Sequence, residues 1–507
     1  MRQLEWFCVL AITCGLANSL QAQDAESVES PAQLSGIIEP VEPESDDSDA
    51  TVPQSGQVKI GDRQIQYDIK AESIVVKGTS EKSEATIRYI AYHVKSDQPR
   101  PLTFCFNGGP GSSSVWLHMG LVGPKRVLAD VGQKHQGPFT LAENPYSLLD
   151  QTDVVLVDPV STGLSRPKEA KKGSEFHGYD GDINSLGQFI EAYLRKYHRW
   201  NSPVYLMGES YGTLRVSALA RHLQGRYRID VAGLILISAV LDFQTIAFTT
   251  ANDLAYVMFF PSYAATSWYH GKLGDEYQKD FGKLRKQAEK FATNEYLLAL
   301  LKGASIDPQS KQRVAEKYAR LTGLPIEYIL ANNLRVPMHR FGKQLLRDEE
   351  QLVGRFDSRY KQFTVNSYGE STEFDPSATA MFGPYTAAFN HYAQDELGLK
   401  LDETYEILTS KVRPWSYESF ENDFVNVLDP LQRAMIANPR MKVFVAAGWM
   451  DLATPYLAVQ HSIHHLQLPK QVEQNIDFKA YPAGHMMYVH EPSLKQLRAD
   501  LVEYYNQ

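Results

Sequence analysis

A serine that could act as a nucleophile lies at the centre of a Gly-x-Ser-x-Gly motif. The apolar run 204–207 leads into Gly208, Ser210 and Gly212, and a stretch with helical character follows from Thr213. A serine nucleophile needs a hydroxyl that stands clear of the backbone on a strained strand-to-helix turn. Glycines two residues to either side let neighbouring chains approach that turn. The motif and its context therefore predict that Ser210 bonds covalently to a substrate.

A second Gly-Glu-Ser sequence occurs at residues 369–371. No apolar run precedes it, and position 373 is glutamate where the motif requires glycine. We therefore interpret Ser371 as part of a surface loop.

A glycine-rich loop earlier in the chain supplies candidates for stabilising an oxyanion. Residues 107–114 read Asn-Gly-Gly-Pro-Gly-Ser-Ser-Ser and follow the apolar run 102–106. Glycine lets backbone N–H groups face an anion at close range. When a nucleophile lies on such a turn, one oxyanion donor is the N–H of the next residue, here Tyr211. The other donor comes from a loop after an early strand.

An acid and a base follow late in the chain, in the order Ser, Asp, His that this type of turn uses. The apolar run 443–447 precedes Gly-Trp-Met-Asp451, and Tyr-Pro-Ala-Gly precedes His485. The histidine would accept the serine proton on one ring nitrogen while Asp451 holds the other. His490 lacks a preceding glycine, and we interpret it as a polar partner.

Three further histidines, His461, His464 and His465, have helical spacing. A metal site and a solvated helix face would both fit this pattern. No cysteine or paired carboxylate joins the three, which favours the solvated face. We predict no metal and no cofactor.

The elements that must position these residues alternate between strands and helices. Helical patterns at 183–197 and 213–223 lie between apolar runs. The predicted strands are 85–94, 102–106, 153–157, 204–207, 231–240 and 443–447. This alternation predicts a mostly parallel central sheet, and together with the nucleophile turn it predicts an α/β-hydrolase fold. Residues 242–435 carry helical patterns with few strand signals and predict a helical insertion, or cap.

Composition divides the chain further. Residues 1–22 resemble a secretory signal peptide, because Arg2 precedes the apolar run 6–17 and small residues follow. Residues 23–56 hold nine acidic residues and no Lys or Arg, which predicts a disordered linker. The core is predicted in two parts, 57–241 and 436–507, on either side of the insertion.

Charge and cysteine content bound the location and the partners. The net charge of −9 is carried by the acidic linker, and nothing suggests a nucleic-acid partner. After signal cleavage only Cys105 would remain, so no intramolecular disulfide could form. An exported protein without disulfides fits a bacterial periplasm or surface better than a eukaryotic secretory route. An uncleaved N-terminal anchor and a lipid on Cys14 are the alternatives to cleavage, after which we expect no stable membrane insertion.

Together these motifs resemble the serine carboxypeptidase family. Its members share the Asn-Gly-Gly-Pro-Gly loop and the Gly-Glu-Ser-Tyr turn, and segments similar to 144–147 and 157–165 lie between the two. The resemblance spans roughly residues 85–240 and 440–495. It implies hydrolysis of peptides with a free C-terminus, by acyl transfer to the serine and then to water.

The same resemblance implies roles for single residues. Asn107, the Gly108 N–H and Glu209 would hold the C-terminal carboxylate of the substrate, with a proton shared between that carboxylate and Glu209. The N–H groups of Gly109 and Tyr211 would form the oxyanion hole.

Two positions depart from the family pattern. The usual cysteine after the glycine-rich loop is Ser112, consistent with the absence of disulfides. A second family glutamate falls at Leu121 by ungapped count. Leu121 would give the carboxylate site an apolar wall, and it leaves carboxypeptidase specificity open.

Three alternatives stay open at this point. An aminopeptidase of the prolyl iminopeptidase type shares the glycine-rich loop, but Asn107 and Glu209 argue against it. An esterase or acyltransferase could use the same scaffold. A catalytically inactive binding protein would typically lose a member of the Ser-Asp-His set, and this chain keeps all three. The sequence carries no signal of oligomeric state.

Overall fold

The computed structural model describes residues 55–80, 82–130 and 137–507. The predicted signal peptide, residues 1–22, lies outside these residues. The predicted linker, residues 23–56, also lies outside them except for Ser55 and Gly56, which begin the first strand.

A large sheet dominates the described residues. In chain order the strands are β1 (Ser55–Ile60), β2 (Arg63–Lys77), β3 (Glu84–His93), β4 (Leu102–Phe106), β5 (Lys125–Val127), β6 (Leu141–Glu143), β7 (Asp153–Val157), β8 (Arg166–Pro167), β9 (Val204–Glu209), β10 (Val231–Ile237), β11 (Gln351–Val353), β12 (Lys361–Phe363), β13 (Lys442–Gly448) and β14 (Ile476–Tyr481). The sheet has the order β1-β2-β3-β7-β4-β9-β10-β13-β14, and β8 pairs with β3. Pairs from β7 to β14 are parallel, whereas β1, β2, β3 and β7 pair antiparallel.

Helices connect the parallel strands. They are α1 (Val115–Leu117), α2 (Tyr179–Lys196), α3 (Tyr211–His222), α4 (Leu254–Tyr269), α5 (Asp275–Gln278), α6 (Phe281–Phe291), α7 (Leu297–Lys302), α8 (Pro308–Thr322), α9 (Ile326–Ala331), α10 (Met338–Gln344), α11 (Pro376–His391), α12 (Leu428–Ala437), α13 (Tyr456–His464), α14 (Lys470–Glu473) and α15 (Glu491–Asn506). Helices α4 to α12 lie between β10 and β13, where the sequence predicts the insertion.

The core lies on both faces of the sheet, as β4 illustrates. All five residues of this strand are buried. Phe104 packs against helix α2, with its ring centroid 5.2 Å from that of Tyr193, whereas Cys105 belongs to the core on the opposite face, with Leu497 of α15. Burial on both faces is typical of parallel strands covered by helices. The architecture agrees with the predicted mostly parallel α/β sheet.

The predicted strands are all present, and β4 and β7 coincide with their predicted ranges. Three hairpins were not predicted from the sequence, namely β1–β2, β5–β6 and, within the insertion, β11–β12. Each strand of the last two has three residues, too few for an alternating pattern to be recognised, and β2 is only partly buried along most of its length. Helix α12, at the end of the predicted insertion, packs against α3 of the core. The domain boundaries themselves stay a prediction.

No helix in the described part of the chain combines the length and the apolar composition needed to cross a membrane.

Cys105 gives a prediction about redox insensitivity. Its side chain is buried in β4 and makes no disulfide, and burial raises the pKa of its thiol, because a thiolate is costly away from water. We therefore expect a thiol reductant to leave the melting temperature of the monomer unchanged. Peptide-level mass spectrometry should find Cys105 unlabelled by a thiol reagent in the native protein and labelled after unfolding. A marked drop in melting temperature with reductant would contradict this expectation.

Candidate active site

Ser210 lies on a strained turn between β9 and α3. Its backbone has φ 58° and ψ −129°, a region that residues other than glycine adopt at a cost and that recurs at functional sites. A Cβ on Gly208 would lie 2.2 Å from the carbonyl oxygen of Gly212, and a Cβ on Gly212 would lie 2.4 Å from that of Phe106. Both flanking glycines are therefore required by the close approach of backbone, as the motif predicts.

The glycine-rich loop lies directly over this turn. A Cβ on Gly108 would lie 2.5 Å from the Tyr211 nitrogen and 2.9 Å from the Ser210 Cβ. Within the described residues, neither Gly108 nor Gly109 donates its N–H to a protein acceptor. Tyr211 is the first residue of α3, so its N–H has no acceptor in the helix. The loop and the turn thus bring N–H groups without protein acceptors together beside the Ser210 side chain, an arrangement suited to an oxyanion.

Asp451 and His485 are joined by a buried hydrogen bond. His485 Nδ1 donates to Asp451 Oδ2 at 2.8 Å. The other carboxylate oxygen, Oδ1, accepts the backbone N–H groups of Ala453 at 2.7 Å and Thr454 at 3.0 Å. Thr454 Oγ1 also donates to Oδ2 at 2.8 Å. Four donors therefore fix the orientation of this carboxylate.

The Asp451 charge affects the protonation of the histidine. Burial by itself lowers the pKa of His485, but the charge and hydrogen bond of Asp451 outweigh that effect, so this pKa lies above its usual value. The arrangement favours an imidazole that accepts a proton on Nε2 and is stabilised once charged.

Backbone hydrogen bonds hold the Ser210 turn close to the His485 loop. The Ser210 N–H donates to the Ile237 carbonyl at 3.0 Å, and the hydroxyl of the next residue, Ser238, donates to the His485 carbonyl at 2.6 Å. Among the described residues the Ser210 hydroxyl makes no hydrogen bond to the His485 ring. In enzymes without bound substrate such contacts are often long and tighten only in the complex.

Glu209, the last residue of β9, is buried beside the nucleophile. Asn107 Nδ2 donates to Glu209 Oε1 at 2.9 Å, and Asn107 Oδ1 accepts the Leu117 N–H at 3.0 Å, which fixes the amide orientation. Glu209 Oε2 has no hydrogen-bond partner among the described residues. Burial raises the pKa of the Glu209 carboxyl to about 7, because desolvation disfavours the charged form.

Two tyrosine hydroxyls, which were not predicted from the sequence, lie near Glu209. The hydroxyls of Tyr385 and Tyr488 are buried and lack hydrogen-bond partners within the described residues. A Cβ on Gly120 would lie 2.3 Å from the Tyr488 ring and 2.9 Å from the Tyr385 hydroxyl. The Tyr488 hydroxyl is near enough to Glu209 to offset part of the rise in the pKa of its carboxyl. Leu121 is buried, its role as a wall of the carboxylate site stays a prediction, and polar groups lie near this carboxyl.

A segment of the insertion, residues 355–358, joins the loops that carry the acid and the base. The His485 N–H donates to the Phe356 carbonyl at 2.6 Å, and the Leu452 N–H donates to the Arg355 carbonyl at 3.0 Å. Ser358 donates its N–H to the Met450 carbonyl at 3.0 Å. No sequence signal distinguishes this segment, because the bonds that it makes are mainly those of the backbone.

A buried ion pair between Arg215 and Asp182 holds the backbone at the start of the glycine-rich loop. Arg215 of α3 donates through Nε to Asp182 Oδ2 at 2.7 Å and through Nη1 to the Asn107 carbonyl at 2.5 Å. Both charged side chains are almost fully buried. The arginine thus fixes the backbone of the residue whose side chain holds Glu209.

The remaining sequence candidates lie elsewhere. Ser371 is exposed in the loop between β12 and α11, as expected. His490 Nδ1 is hydrogen-bonded to Ser493 Oγ at 2.7 Å. The rings of His461 and His465 are tilted against each other with centroids 3.9 Å apart, and His465 Nδ1 is hydrogen-bonded to the His461 carbonyl.

The chain resembles known proteins over most of its length. A family model described as Serine carboxypeptidase matches residues 75–493. Serine carboxypeptidase-like 36 of Arabidopsis thaliana is 28% identical over 153 residues, which cover 29% of this chain and 30% of the relative. Serine carboxypeptidase-like 45 of the same plant is 25% identical over 243 residues, 46% of each chain. The matched segments thus span less than half of these relatives.

A solved structure shares the fold. The prohormone-processing carboxypeptidase Kex1(Δ)p from Saccharomyces cerevisiae superimposes with a TM-score of 0.52 at 16% identity, covering 87% of this chain and 91% of the other. The similarity confirms the predicted fold class.

Proposed function

Because the chain belongs to the serine carboxypeptidase family, we propose that it is a serine-type carboxypeptidase that removes C-terminal residues from peptides through an acyl-enzyme on Ser210. The observation that carries this proposal is the buried pair of Asn107 and Glu209 beside the nucleophile. An esterase needs no such carboxyl. An enzyme that binds a free amino terminus would need an ionised carboxylate for the ammonium group, whereas burial of Glu209 favours its protonated form.

In the proposed reaction, Ser210 Oγ attacks the carbonyl carbon of the last peptide bond while His485 accepts the hydroxyl proton. Asp451 holds the imidazole in the required tautomer and stabilises its charged form. The N–H groups of Gly109 and Tyr211 stabilise the oxyanion. His485 then protonates the leaving amine, and water hydrolyses the acyl-enzyme by the same steps in reverse. Each step uses protein groups and water.

Recognition of the free C-terminus is assigned to Asn107, the Gly108 N–H and Glu209. Two ionised carboxylates at hydrogen-bond distance repel each other, so Glu209 must be protonated to donate a hydrogen bond to the substrate. Its pKa of about 7 keeps it protonated in acidic solution. The site is therefore suited to a substrate carboxylate below neutral pH.

A matched pair of peptides, one with a free C-terminus and one amidated, tests this proposal. At acidic pH we expect the free peptide to be cleaved with a kcat/KM roughly 100-fold higher, because the amide cannot replace hydrogen bonds made to a charge. The KM for the free peptide should rise as the pH passes about 7 and Glu209 loses its proton.

Glu209→Gln should flatten that pH dependence, since an amide donates at every pH. Glu370→Gln, at an exposed loop, serves as the matched control and should keep the wild-type profile. Equal cleavage of the two peptides at acidic pH would eliminate the carboxypeptidase and leave an esterase, acyltransferase or endopeptidase with the same nucleophile.

We also propose, from the sequence, that the chain is exported after cleavage near residue 22, to a periplasm or the cell exterior. The insertion, residues 242–435, is proposed to act as a cap that shapes substrate choice. Its segment 355–358 supports this view, because it contacts the loops of both Asp451 and His485.

A further inference from the structure

The side chain of Arg355 is positioned within reach of the candidate site by an aromatic stack. Its guanidinium carbon lies 5.0 Å from the centroid of the Phe356 ring. That ring lies with its centroid 5.3 Å from the His485 imidazole. The charge of Arg355 also opposes protonation of His485 and so acts to lower the pKa of that histidine. A fixed positive charge is thus held one ring away from the proposed general base.

Among the described residues this guanidinium has no counter-ion. Within the described residues, Arg355 makes no side-chain hydrogen bond or ion pair, and it is partly exposed. Arg359, four residues later, contrasts with it, since its Nε and Nη2 donate to the carboxylate of Asp357 at 2.9 and 2.6 Å. An arginine fork without a carboxylate partner, one ring away from His485, is suited to an anionic group of a ligand.

Asp375, which binds the backbone of this segment, is occupied by other donors. Asp375 accepts the backbone N–H groups of Arg355 at 3.0 Å and Phe356 at 3.3 Å. It also accepts the N–H of Ser377 at 2.9 Å and the hydroxyl of that residue. These bonds hold the backbone of Arg355 in place without engaging its guanidinium. The Leu452 N–H binds the Arg355 carbonyl on the other side, so the arginine is presented from a fixed backbone.

We propose that Arg355 forms a subsite for a carboxylate side chain, so that the enzyme prefers peptides with Asp or Glu at one of the two residues flanking the cleaved bond. This inference rests on the proposed carboxypeptidase function. The terminal carboxylate of the substrate is assigned to Asn107 and Glu209. The anionic group that binds Arg355 must therefore be a second one, on a substrate side chain.

The test compares substrates that differ only by Glu against Gln. One pair carries the substitution at the last residue and the other at the residue before it, all with free C-termini. Assays at about pH 6 keep the substrate glutamate ionised and Glu209 protonated. We expect the wild-type kcat/KM to favour Glu on the order of tenfold at one of the two positions, the contribution of one charge-assisted hydrogen bond at a partly exposed site.

Variants then assign the preference to the arginine. In Arg355→Gln the ratio of Glu to Gln should fall to about 1, and Arg355→Lys should keep part of it, because a point charge replaces the fork. Arg320→Gln, which removes an exposed arginine of α8, should keep the wild-type ratio. A ratio near 1 in the wild type at both positions, or a wild-type ratio in Arg355→Gln, would overturn the inference.

Failure of the carboxypeptidase proposal can be distinguished from failure of the arginine subsite. If no peptide with a free C-terminus is cleaved while a fluorophosphonate still labels Ser210, the carboxypeptidase proposal fails. The arginine subsite is then tested on N-blocked Glu and Gln p-nitrophenyl esters, which need only the nucleophile. A Glu preference on the esters that is lost in Arg355→Gln supports a subsite for the residue before the cleaved bond. Equal rates reject the inference, because a subsite for the last residue falls with the carboxypeptidase.

Discussion

Ser210→Ala should lower kcat/KM for peptide hydrolysis by at least about 10⁴-fold, because removal of the nucleophile removes the covalent route. Residual turnover would come from the oxyanion donors and substrate binding alone. Folding should be unaffected, since alanine fits the turn wherever serine does and the turn is held by the Ser210 backbone N–H. Steady-state kinetics on a free-terminus peptide, with a melting curve of the variant, measure both expectations.

The matched control is Ser371→Ala, in the second Gly-Glu-Ser sequence. Because Ser371 is exposed in a loop, its loss should leave kcat/KM unchanged. The fluorophosphonate label should appear on wild type and Ser371→Ala and be absent from Ser210→Ala. Substantial turnover by Ser210→Ala would contradict the mechanism.

Asp451→Asn should reduce kcat by about 10⁴-fold, the second largest effect that we expect. Asp451 Oδ1 accepts two backbone N–H groups, so the amide oxygen of asparagine would take that position. Its NH₂ group would then face His485 Nδ1. The histidine would have to accept there and carry its proton on Nε2, which is the wrong tautomer for a general base.

Asp429→Asn provides the comparison for this variant. Asp429 pairs with Arg433 on an exposed face of α12, and an exposed pair contributes little, so activity should be retained. The pH profile of Asp451→Asn gives a second measurement. Loss of the carboxylate should lower the pKa of His485, because the charge that raises it is gone. If Asp451→Asn kept more than about a tenth of wild-type kcat, Asp451 would not have the assigned role.

Strands could be predicted from the sequence where they form continuous apolar runs closed by turn residues. β4 and β7 are buried on both faces, so every position carries the signal. The hairpin β11–β12 could not be predicted, because its strands have three residues each and β12 is exposed throughout. The fold class therefore follows from the buried half of the sheet, whereas the short pieces depend on tertiary context.

The candidate site divides in a similar way. Ser210 and Asp451 each follow an apolar run and a characteristic turn, and His485 follows a turn that ends in glycine. The structure brings Asp451 and His485 into direct contact; the catalytic roles of all three stay predictions. Tyr385 and Tyr488 have no such signal, since a tyrosine that packs in a core and one whose hydroxyl approaches a carboxyl look alike in sequence. The inference of an apolar wall from Leu121 missed them for this reason.

The contacts of segment 355–358 limit how the insertion can change during evolution. If the insertion were attached to the core only at its two ends, its helices could drift or change length without disturbing the reaction. Here a short piece of its backbone is bonded to the loops of Asp451 and His485, so a shift in the insertion is transmitted to the acid and the base. If Arg355 has the proposed role, substrate preference can change through side chains of this segment, whereas the path of its backbone is constrained by the loops of Asp451 and His485 to which it is bonded.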